Sequence, residues 1–255
     1  MAKRTPLAER LDEVRQKIAA ACAKAKRDPS EVTLIAVTKT AAPEQVREML
    51  QLGVTDLGES RVQVLTQRAA QFTEFQQRRI THGEAPANAK VRWHMIGHLQ
   101  RNKVKPVLPL VSLIHSVDSL RLAEEIDAQA EKAGRRIPVL MQVNASEENQ
   151  KYGVAVGASV HLAEQIDSMK GLQLLGLMTM APLDATEAAT RHVFVRTREI
   201  FEEMKWHKIG GAGLRHLSMG MSNDYEAAVL EGSTMVRVGT ALFGGKVEEH
   251  QSDDD

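Results

Sequence analysis

Short apolar runs alternate along this chain with longer segments in which apolar residues recur every three or four positions. The apolar runs predict eight strands, at 32–38, 54–57, 91–96, 111–115, 137–143, 172–178, 213–217 and 234–238. Several runs are continuously apolar, which is typical of strands covered on both faces in a parallel sheet. Helix-length segments separate the strands, among them 119–133 and 186–205. The alternation predicts a parallel α/β fold.

Eight strand–helix units in a chain of 255 residues match the size of a (β/α)8 TIM-type barrel. A helix is also predicted before the first strand, because Leu7, Leu11 and Val14 begin an apolar stripe at helical spacing. An open doubly wound sheet is the alternative, but its glycine fingerprint G-x-G-x-x-G is missing. We expect one barrel domain over 1–247 and a disordered tail over 248–255.

Charge and composition limit the kinds of molecule that the protein is expected to bind. The chain has 33 Lys plus Arg and 33 Asp plus Glu, so its formal net charge is zero. No long-range field therefore attracts nucleic acid or an anionic membrane. The single cysteine, Cys22, cannot form an intrachain disulfide. No apolar run approaches the roughly 20 residues of a membrane span, and no apolar signal region opens the chain. We expect a cytoplasmic protein that binds neither nucleic acid nor membranes.

Lys39 ends the first apolar run, immediately before the break at Ala41-Ala42-Pro43. Barrel active sites gather at the C-terminal ends of the strands, so Lys39 is predicted to lie at the barrel mouth. Burial and positive neighbours lower the pKa of such a lysine and favour the amine that forms an imine. The alternative is a solvated lysine just past a strand.

The loops after the last two predicted strands are rich in small and hydroxyl-bearing residues. These are Ser218, Gly220, Ser222, Gly239 and Thr240. Barrels frequently bind phosphate with these two loops, through backbone N–H groups and a helix N-terminus. Ordinary turn chemistry is the alternative, and Ser222 is predicted to cap the following helix. An amine near such a phosphate site is what a Schiff-base cofactor with a phosphate requires.

Arg237 places a charge inside the apolar run 235–238, where burial is costly without a partner. An ion pair with a barrel carboxylate such as Glu59 is one explanation, and contact with a ligand acceptor is the other. If that acceptor is a pyridine nitrogen, arginine cannot give up a proton to it. The ring would then stay neutral and be a poor electron sink, which limits carbanion chemistry.

Two histidines and two polar segments complete the candidate features. His94 and His98 are four residues apart, but a strand is predicted to end near Gly97, so we expect structural or pocket-lining histidines rather than a metal site. Lys151 follows the fifth strand and either reaches the same barrel end or is a solvated loop charge. The segment 72–90 is predicted to be a helix end followed by a mobile loop.

Seven segments, in order along nearly the whole chain, resemble the pyridoxal phosphate homeostasis protein family. The matching stretches are AVTKT (36–40), LGESRVQ (57–63), WHMIGHLQRNK (93–103), IHSVD (114–118), GLMTM (176–180), LSMGMSNDY (217–225) and GSTMVRVGTALFG (232–244). The resemblance implies a barrel like the N-terminal domain of alanine racemase. It also implies pyridoxal 5′-phosphate (PLP) as the cofactor.

The resemblance further implies that PLP is held as an aldimine on Lys39. Ser218 and Thr240 would hold the phosphate, with backbone groups near Gly220 and Gly239. These four residues are the same ones that the phosphate pattern above singles out.

Two more site residues are implied by the same resemblance. Arg237 would face the pyridine nitrogen, in agreement with the charge argument. Ser60 stands where the family usually carries asparagine in a Gly-Glu-Asn motif, so the resemblance implies a cofactor contact by a shorter side chain at this position. The resemblance also favours a monomer.

Three functions are compatible with these residues. The first is a PLP-binding homeostasis protein without turnover, which exchanges the cofactor with the free pool or transiently with PLP-dependent enzymes. The second is an amino-acid racemase, which requires a group opposite Lys39. In alanine racemases this is a tyrosine from an additional β domain, and neither Tyr152 nor Tyr225 is clearly placed for it. The third is an aldolase with Lys39 as imine former. We favour the first.

Overall fold

A computed structural model describes residues 5–148 and 152–244. The strands are β1 (Thr33–Val37), β2 (Asp56–Glu59), β3 (Arg92–Met95), β4 (Leu113–Val117), β5 (Ile137–Asn144), β6 (Val154–Ala155), β7 (Leu172–Met178), β8 (His216–Ser218) and β9 (Met235–Val238). Every pairing between these strands is parallel. Such a sheet requires a crossover between successive strands, and helices supply it.

The helices are α1 (Pro6–Lys24), α2 (Pro43–Gln51), α3 (Val62–Thr81), α4 (Val104–Val107), α5 (Leu120–Lys132), α6 (Val156–Asp167), α7 (Glu187–Trp206), α8 (Tyr225–Leu230) and α9 (Thr240–Phe243). Local capping chemistry sets several starts. The hydroxyl of Thr5 accepts the amide of Ala8 at the start of α1, and Thr186 caps α7 in the same way. Within the described residues, none of the helices is both long and apolar enough to cross a membrane.

Eight of the strands close into a barrel. Their order runs from β1 to β5 and on through β7, β8 and β9, which pairs with β1 again. The short β6 lies outside this ring, against the end of β5, where Val154 pairs with Val143. The predicted (β/α)8 barrel with an additional N-terminal helix is therefore confirmed.

Two apolar layers hold the barrel together. The outer layer lies between strands and helices and contains most of the buried side chains, including Trp93 and Phe194. The smaller inner layer fills the barrel interior with Ile35, Leu113, Leu140, Leu175, Met178 and Met235. Because this inner layer is small, the rest of the interior is left to polar side chains that require partners.

The structure refines the bounds of two predicted elements. β8 begins three residues late, because Gly211–Gly213 form a 3-10 turn. In the segment 72–90, predicted as a helix end followed by a loop, the helix α3 continues to Thr81 with Phe72 and Gln76 buried, and the loop takes only the second half. Lys151 and the predicted disordered tail lie outside the described residues.

Candidate functional site

Lys39 lies at the C-terminal mouth of the barrel. It follows β1 in a turn that is closed by a 2.8 Å hydrogen bond from the amide of Ala41 to the carbonyl of Thr38, and its side chain is exposed. β9 pairs with β1 so that Val238 lies beside Ala36. The loop that follows β9 therefore leaves the barrel at the same edge as Lys39.

Two glycines let the loops after β8 and β9 approach their neighbours closely. A Cβ on Gly239 would lie 3.3 Å from the carbonyl oxygen of Val37. Gly220 has φ +95°, and its Cβ would lie 2.6 Å from the Cβ of Ala228 on α8. Positive φ and close backbone approach both favour glycine. Larger residues would push the loop after β9 away from β1 and the loop after β8 away from α8.

Ser222 joins these two loops, and the prediction that it caps the helix that follows it, α8, is wrong. Its Oγ accepts hydrogen bonds from the amides of Gly239 (3.2 Å) and Ala241 (3.3 Å). The helix α8 begins only at Tyr225, and the carboxylate of Asp224 accepts the amide of Met221 at 2.5 Å. The serine hydroxyl thus ties the loop after β8 to the first turn after β9.

The same edge offers hydrogen-bond donors that suit a phosphate. Within the described part of the chain, the amides of Gly220 and Ser222 and the hydroxyl of Thr240 make no hydrogen bond to another residue. Charged phosphate oxygens are acceptors only, so they match a set made of donors. The residues present therefore fit an anionic group at this edge.

Arg237 is buried in the barrel interior beneath this edge. It is 3% exposed, and burial lowers its pKa to about 10. Its Nη1 donates to the carbonyl (2.8 Å) and to the Oγ (2.6 Å) of Ser218, while Nη2 donates to the carbonyl of Thr179 at 2.9 Å. The alternative of an ion pair with Glu59 is wrong, because neutral oxygens accept these hydrogen bonds.

Ser218 is fully buried, and its hydroxyl already has two partners. Besides accepting from Arg237, its Oγ lies 2.9 Å from Nδ1 of His115 on β4. Both partners lie in the barrel interior. The predicted contact of Ser218 with a phosphate stays a prediction, and it would require this hydroxyl to exchange one of its present partners.

A line of polar side chains continues from Ser218 across the interior. His115 Nε2 lies 2.9 Å from His94 Nδ1, and His94 Nε2 lies 3.1 Å from Asp56 Oδ1 at the start of β2. Arg92 holds the Asp56 carboxylate with two hydrogen bonds, of 2.7 and 2.5 Å. Although its own burial opposes this, the hydrogen bonds from His94 and Arg92 leave the pKa of Asp56 below its ordinary value. Burial lowers the pKa of His115 well below its ordinary value, so this histidine is neutral.

The β1–β2 side of the mouth contains a buried carboxylate. Glu59 is fully buried at the end of β2, where its Oε1 accepts the hydroxyl of Thr38 at 2.5 Å and lies 3.4 Å from Arg68 Nε. Burial raises the pKa of Glu59. Glu59 Oε2 and Arg68 Nη1 are buried without a hydrogen-bond partner among the described residues. A water molecule or a ligand atom would satisfy both groups.

Ser60 follows Glu59 at the same edge as Lys39, because the β1–β2 ladder pairs Val37 with Gly58. The side chain of Ser60 is half-buried. Its backbone carbonyl would lie 2.2 Å from a Cβ on Gly97, so the loops after β2 and β3 pack tightly. A cofactor contact by Ser60 stays a prediction.

An aromatic pair lies on the far side of the mouth. His98 stacks on Tyr152 with ring centroids 4.0 Å apart, and His98 Nδ1 lies 3.1 Å from the carboxylate of Asp118. The backbone carbonyl of Tyr152 accepts from Gln142 on β5, which is four strands from β1 in the ring of eight. His94 and His98 therefore have separate partners, and among the described residues no group of three or more His, Cys, Asp or Glu is placed to hold a metal ion.

Sequence analysis assigned no role to three residues of this hydrogen-bonded interior. Two of them, Asp56 and His115, are members of the line, and the third, Thr179, accepts a hydrogen bond from Arg237. His115 could have been recognised in the sequence, because it is a titratable residue within the buried strand Leu113–Val117. Asp56 and Thr179 stand at strand ends, where polar residues are common, so their pattern was not distinctive.

Comparison with known proteins gives consistent matches. The family model described as alanine racemase, N-terminal domain, matches residues 4–247. The pyridoxal phosphate homeostasis protein of Aquifex aeolicus (strain VF5) is 38% identical over 236 residues, which cover 92% of this chain and 96% of the relative.

Two solved structures share the fold at similar identity. A protein of unknown function from Bifidobacterium adolescentis has a TM-score of 0.85 and 37% identity, covering 93% of this chain and 94% of its own. PipY of Synechococcus elongatus PCC7942, with PLP bound, has a TM-score of 0.70 and 33% identity, covering 91% of this chain and 100% of its own.

Proposed function

Because this chain belongs to the pyridoxal phosphate homeostasis protein family, we propose that it binds PLP at the barrel mouth and acts in PLP storage and exchange. The observation that carries the proposal is the meeting of three features at one barrel end. Lys39 is exposed there, hydrogen-bond donors suited to phosphate lie on the loops after β8 and β9, and Arg237 is buried beneath them. Bound PLP supplies an aldehyde that reacts reversibly with amines.

Lys39 is the residue that would bind the aldehyde. Its amine lies at the mouth, and none of the ion pairs of the described residues includes it. The neutral amine of a lysine is the nucleophile that attacks an aldehyde. Its exposure also leaves room for an incoming amine to displace it, which exchange of the cofactor requires.

The phosphate would lie between the loops after β8 and β9. The amides of Gly220 and Ser222 and the hydroxyl of Thr240 are the donors that support this assignment. We assign the hydroxyl contact to Thr240 rather than to Ser218, because Ser218 already binds His115 and Arg237. Each hydrogen bond to a charged group contributes roughly 1.5–3 kcal/mol.

Arg237 would face the ring nitrogen. Its guanidinium is held by Ser218 and Thr179, and it cannot donate a full proton to a pyridine. The ring would therefore withdraw electrons weakly, which suits a protein that holds PLP without turning over amino acids.

The experiment is a PLP titration of the wild-type protein, followed by absorbance in the visible range. Wild type should acquire a band that Lys39→Ala lacks, while Lys170→Ala, which removes an exposed lysine after α6, should behave as wild type. A Lys39→Ala protein that is folded and still acquires the wild-type band would refute the assignment.

One observation favours a racemase as a second candidate. Tyr152 is hydrogen-bonded to β5, which lies four strands away from β1 and Lys39, and its ring stacks on His98, the partner of Asp118. Racemisation requires proton donors on both faces of the substrate. Assays with D- and L-amino acids would decide: racemisation that exceeds that of free PLP and is lost in Tyr152→Phe supports the racemase.

The partners and the location also belong to this proposal. We propose a monomer with one barrel domain over 1–247, located in the cytoplasm, which passes PLP to PLP-dependent enzymes transiently or through the free pool. Size-exclusion chromatography with light scattering would test the monomer, and a dimer mass would contradict it.

A further inference from the structure

The hydrogen-bond line through the barrel interior connects Arg237 on β9 to the carboxylate of Asp56 on β2. It runs from Arg237 through Ser218, His115 and His94 to Asp56, and each step is between 2.6 and 3.1 Å. The four residues other than Arg237 come from β2, β3, β4 and β8. All five side chains are buried. We call this set the interior line.

The chemistry at each end fixes the direction of every hydrogen bond in the interior line. Asp56 is held as a carboxylate by Arg92, so it only accepts, and His94 must carry its proton on Nε2. At the other end Arg237 only donates, so among the described residues His115 Nδ1 is the acceptor left for the hydroxyl proton of Ser218. A neutral His115 that accepts at Nδ1 donates from Nε2, so His94 accepts at Nδ1.

Ser218 consequently presents only lone pairs to Arg237. Because its hydroxyl proton is directed at His115, its Oγ accepts the Arg237 Nη1 hydrogen bond at 2.6 Å without competition. The opposite direction would put a proton of His115 against Ser218. The buried hydroxyl would then have no acceptor among the described residues, which costs roughly 1–3 kcal/mol.

The interior line cannot conduct a proton in this arrangement. Arginine at one end does not release its proton, and Asp56 at the other end is stabilised as a carboxylate by Arg92. Its effect is therefore geometric. The line fixes the orientation of the Ser218 hydroxyl, and this hydroxyl in turn fixes the position of Nη1 of Arg237. Thr179 holds the second nitrogen.

We propose that His115 is a positioning residue, which sets the proton direction of the interior line and thereby orients Arg237 toward the ligand at the barrel mouth. The proposal deepens the proposed function, because the ligand is the PLP ring assigned to this mouth. His115 does not touch that ligand, since Ser218 and Arg237 lie between them.

The first test uses the protein without added PLP, so it does not depend on the proposed function. Protein labelled with ¹⁵N in its histidine rings would be studied by NMR at pH 7. His115 and His94 should both be neutral and carry the proton on Nε2. A His115 that is doubly protonated, or that carries its proton on Nδ1, would overturn the proposal.

The second test compares two substitutions of His115. His115→Gln can still accept from Ser218 and donate to His94, whereas His115→Leu has similar bulk and neither group. Ser218 would lose its acceptor in the Leu variant and become free to turn its proton toward Arg237. We expect PLP affinity to fall roughly tenfold in His115→Leu and to stay within about threefold in His115→Gln.

A second readout separates positioning from general loss of structure. PLP labelled with ¹⁵N in its ring should show a changed ring-nitrogen shift in His115→Leu and the wild-type shift in His115→Gln. Equal shifts and affinities in both variants and wild type would refute the proposal, and so would equal weakening in both. If His115→Leu does not unfold cooperatively, Ser218→Ala replaces it, with the same expected loss.

The outcomes of the two proposals remain distinguishable. A wild-type protein that binds no PLP would contradict the proposed function, while the NMR of the protein alone still decides the direction of the interior line. A protein that binds PLP through Lys39 but has the opposite histidine proton positions would contradict only the inference about His115.

Discussion

The two sides of the barrel mouth differ in how completely their buried polar groups are satisfied. On the β8–β9 side, the buried Ser218 and Arg237 hydrogen-bond to each other and to the strands around them. On the β1–β2 side, Glu59 Oε2 and Arg68 Nη1 are buried with no partner in the described part of the chain. The first side is preorganised, and the second requires a water molecule or a ligand atom to complete it.

This difference matches what a protein that takes up and returns a ligand needs. In the proposed function, the fixed side would recognise the parts of the ligand that do not change, namely the ring and phosphate. The other side carries Lys39, which would form and release a bond, next to a carboxylate whose pKa is raised by burial. The predictions below test each side of this comparison in turn.

The largest effect on stability is expected on the β1–β2 side, where buried polar groups lack partners among the described residues. Glu59→Leu removes the carboxylate that faces Arg68 and leaves a mostly buried cation without a countercharge. Removing one partner of a buried pair is strongly destabilising, so we expect the free energy of unfolding to fall by about 3 kcal/mol. Urea denaturation followed by circular dichroism would measure it.

Two control variants test whether the loss of stability in Glu59→Leu comes from the unpaired buried charge. Adding Arg68→Met to Glu59→Leu removes both charges and should restore most of the lost stability. Arg78→Ala breaks an ion pair whose partners are 71% and 65% exposed, and it should have no measurable effect. A single Glu59→Leu variant as stable as wild type would show that the Glu59–Arg68 contact is not a buried pair.

The next largest effect is a loss of stability in acid, and it concerns the β8–β9 side, where the buried polar groups are hydrogen-bonded. Burial lowers the pKa of His216 to about 4, and that of His115 also lies well below the ordinary value of 6.5. Below about pH 6.5 these histidines become protonated in the unfolded chain but stay neutral in the native protein. The free energy of unfolding therefore falls as the pH drops from 6.5 toward 4. For His216 alone the loss is at most about 3 kcal/mol, and less where solvent screens the half-buried ring.

Urea denaturation at pH 7 and pH 4.5 would measure this acid sensitivity. His216→Gln removes one of the depressed groups, so its stability should fall less between the two pH values than that of wild type. The same fall in both proteins would mean that His216 is not held neutral by burial.

The smallest effect concerns the loop geometry on the β8–β9 side. Gly220→Ala places a Cβ 2.6 Å from that of Ala228 at φ +95°, and we expect a loss of about 2 kcal/mol. Gly157→Ala is the matched control, because a Cβ there meets nothing within 4 Å and the residue lies in α6. It should stabilise by about 0.5 kcal/mol, since alanine favours helices. Equal effects of the two substitutions in thermal or urea unfolding would contradict the close approach at Gly220.

The sequence predicted the barrel because the strands are buried on both faces. Continuous apolar runs such as Ile137–Asn144 and Leu172–Met178 are distinctive, and all eight barrel strands lie at or within a few residues of the predicted positions. The position of Lys39 at the mouth followed from the same runs, because the C-terminal end of a parallel strand defines the face of the barrel.

The interior line could not be predicted in the same way. Ser218 and His115 are 103 residues apart, and their meeting depends on how eight strands are staggered around the closed barrel. A local pattern shows that Ser218 ends a strand but not whether its hydroxyl points to the mouth or into the interior. The wrong helix cap at Ser222 has a related cause, since its partners are amides at the start of α9, 17 and 19 residues away.

The proposed bond between Lys39 and the aldehyde of PLP can be tested directly by mapping the modified lysine. Wild-type protein would be incubated with PLP, reduced with borohydride, digested and sequenced by mass spectrometry. The reduced cofactor should be found on the peptide that contains Lys39, and preincubation with excess amine should remove it. A cofactor found instead on another lysine, or on none, would contradict the account.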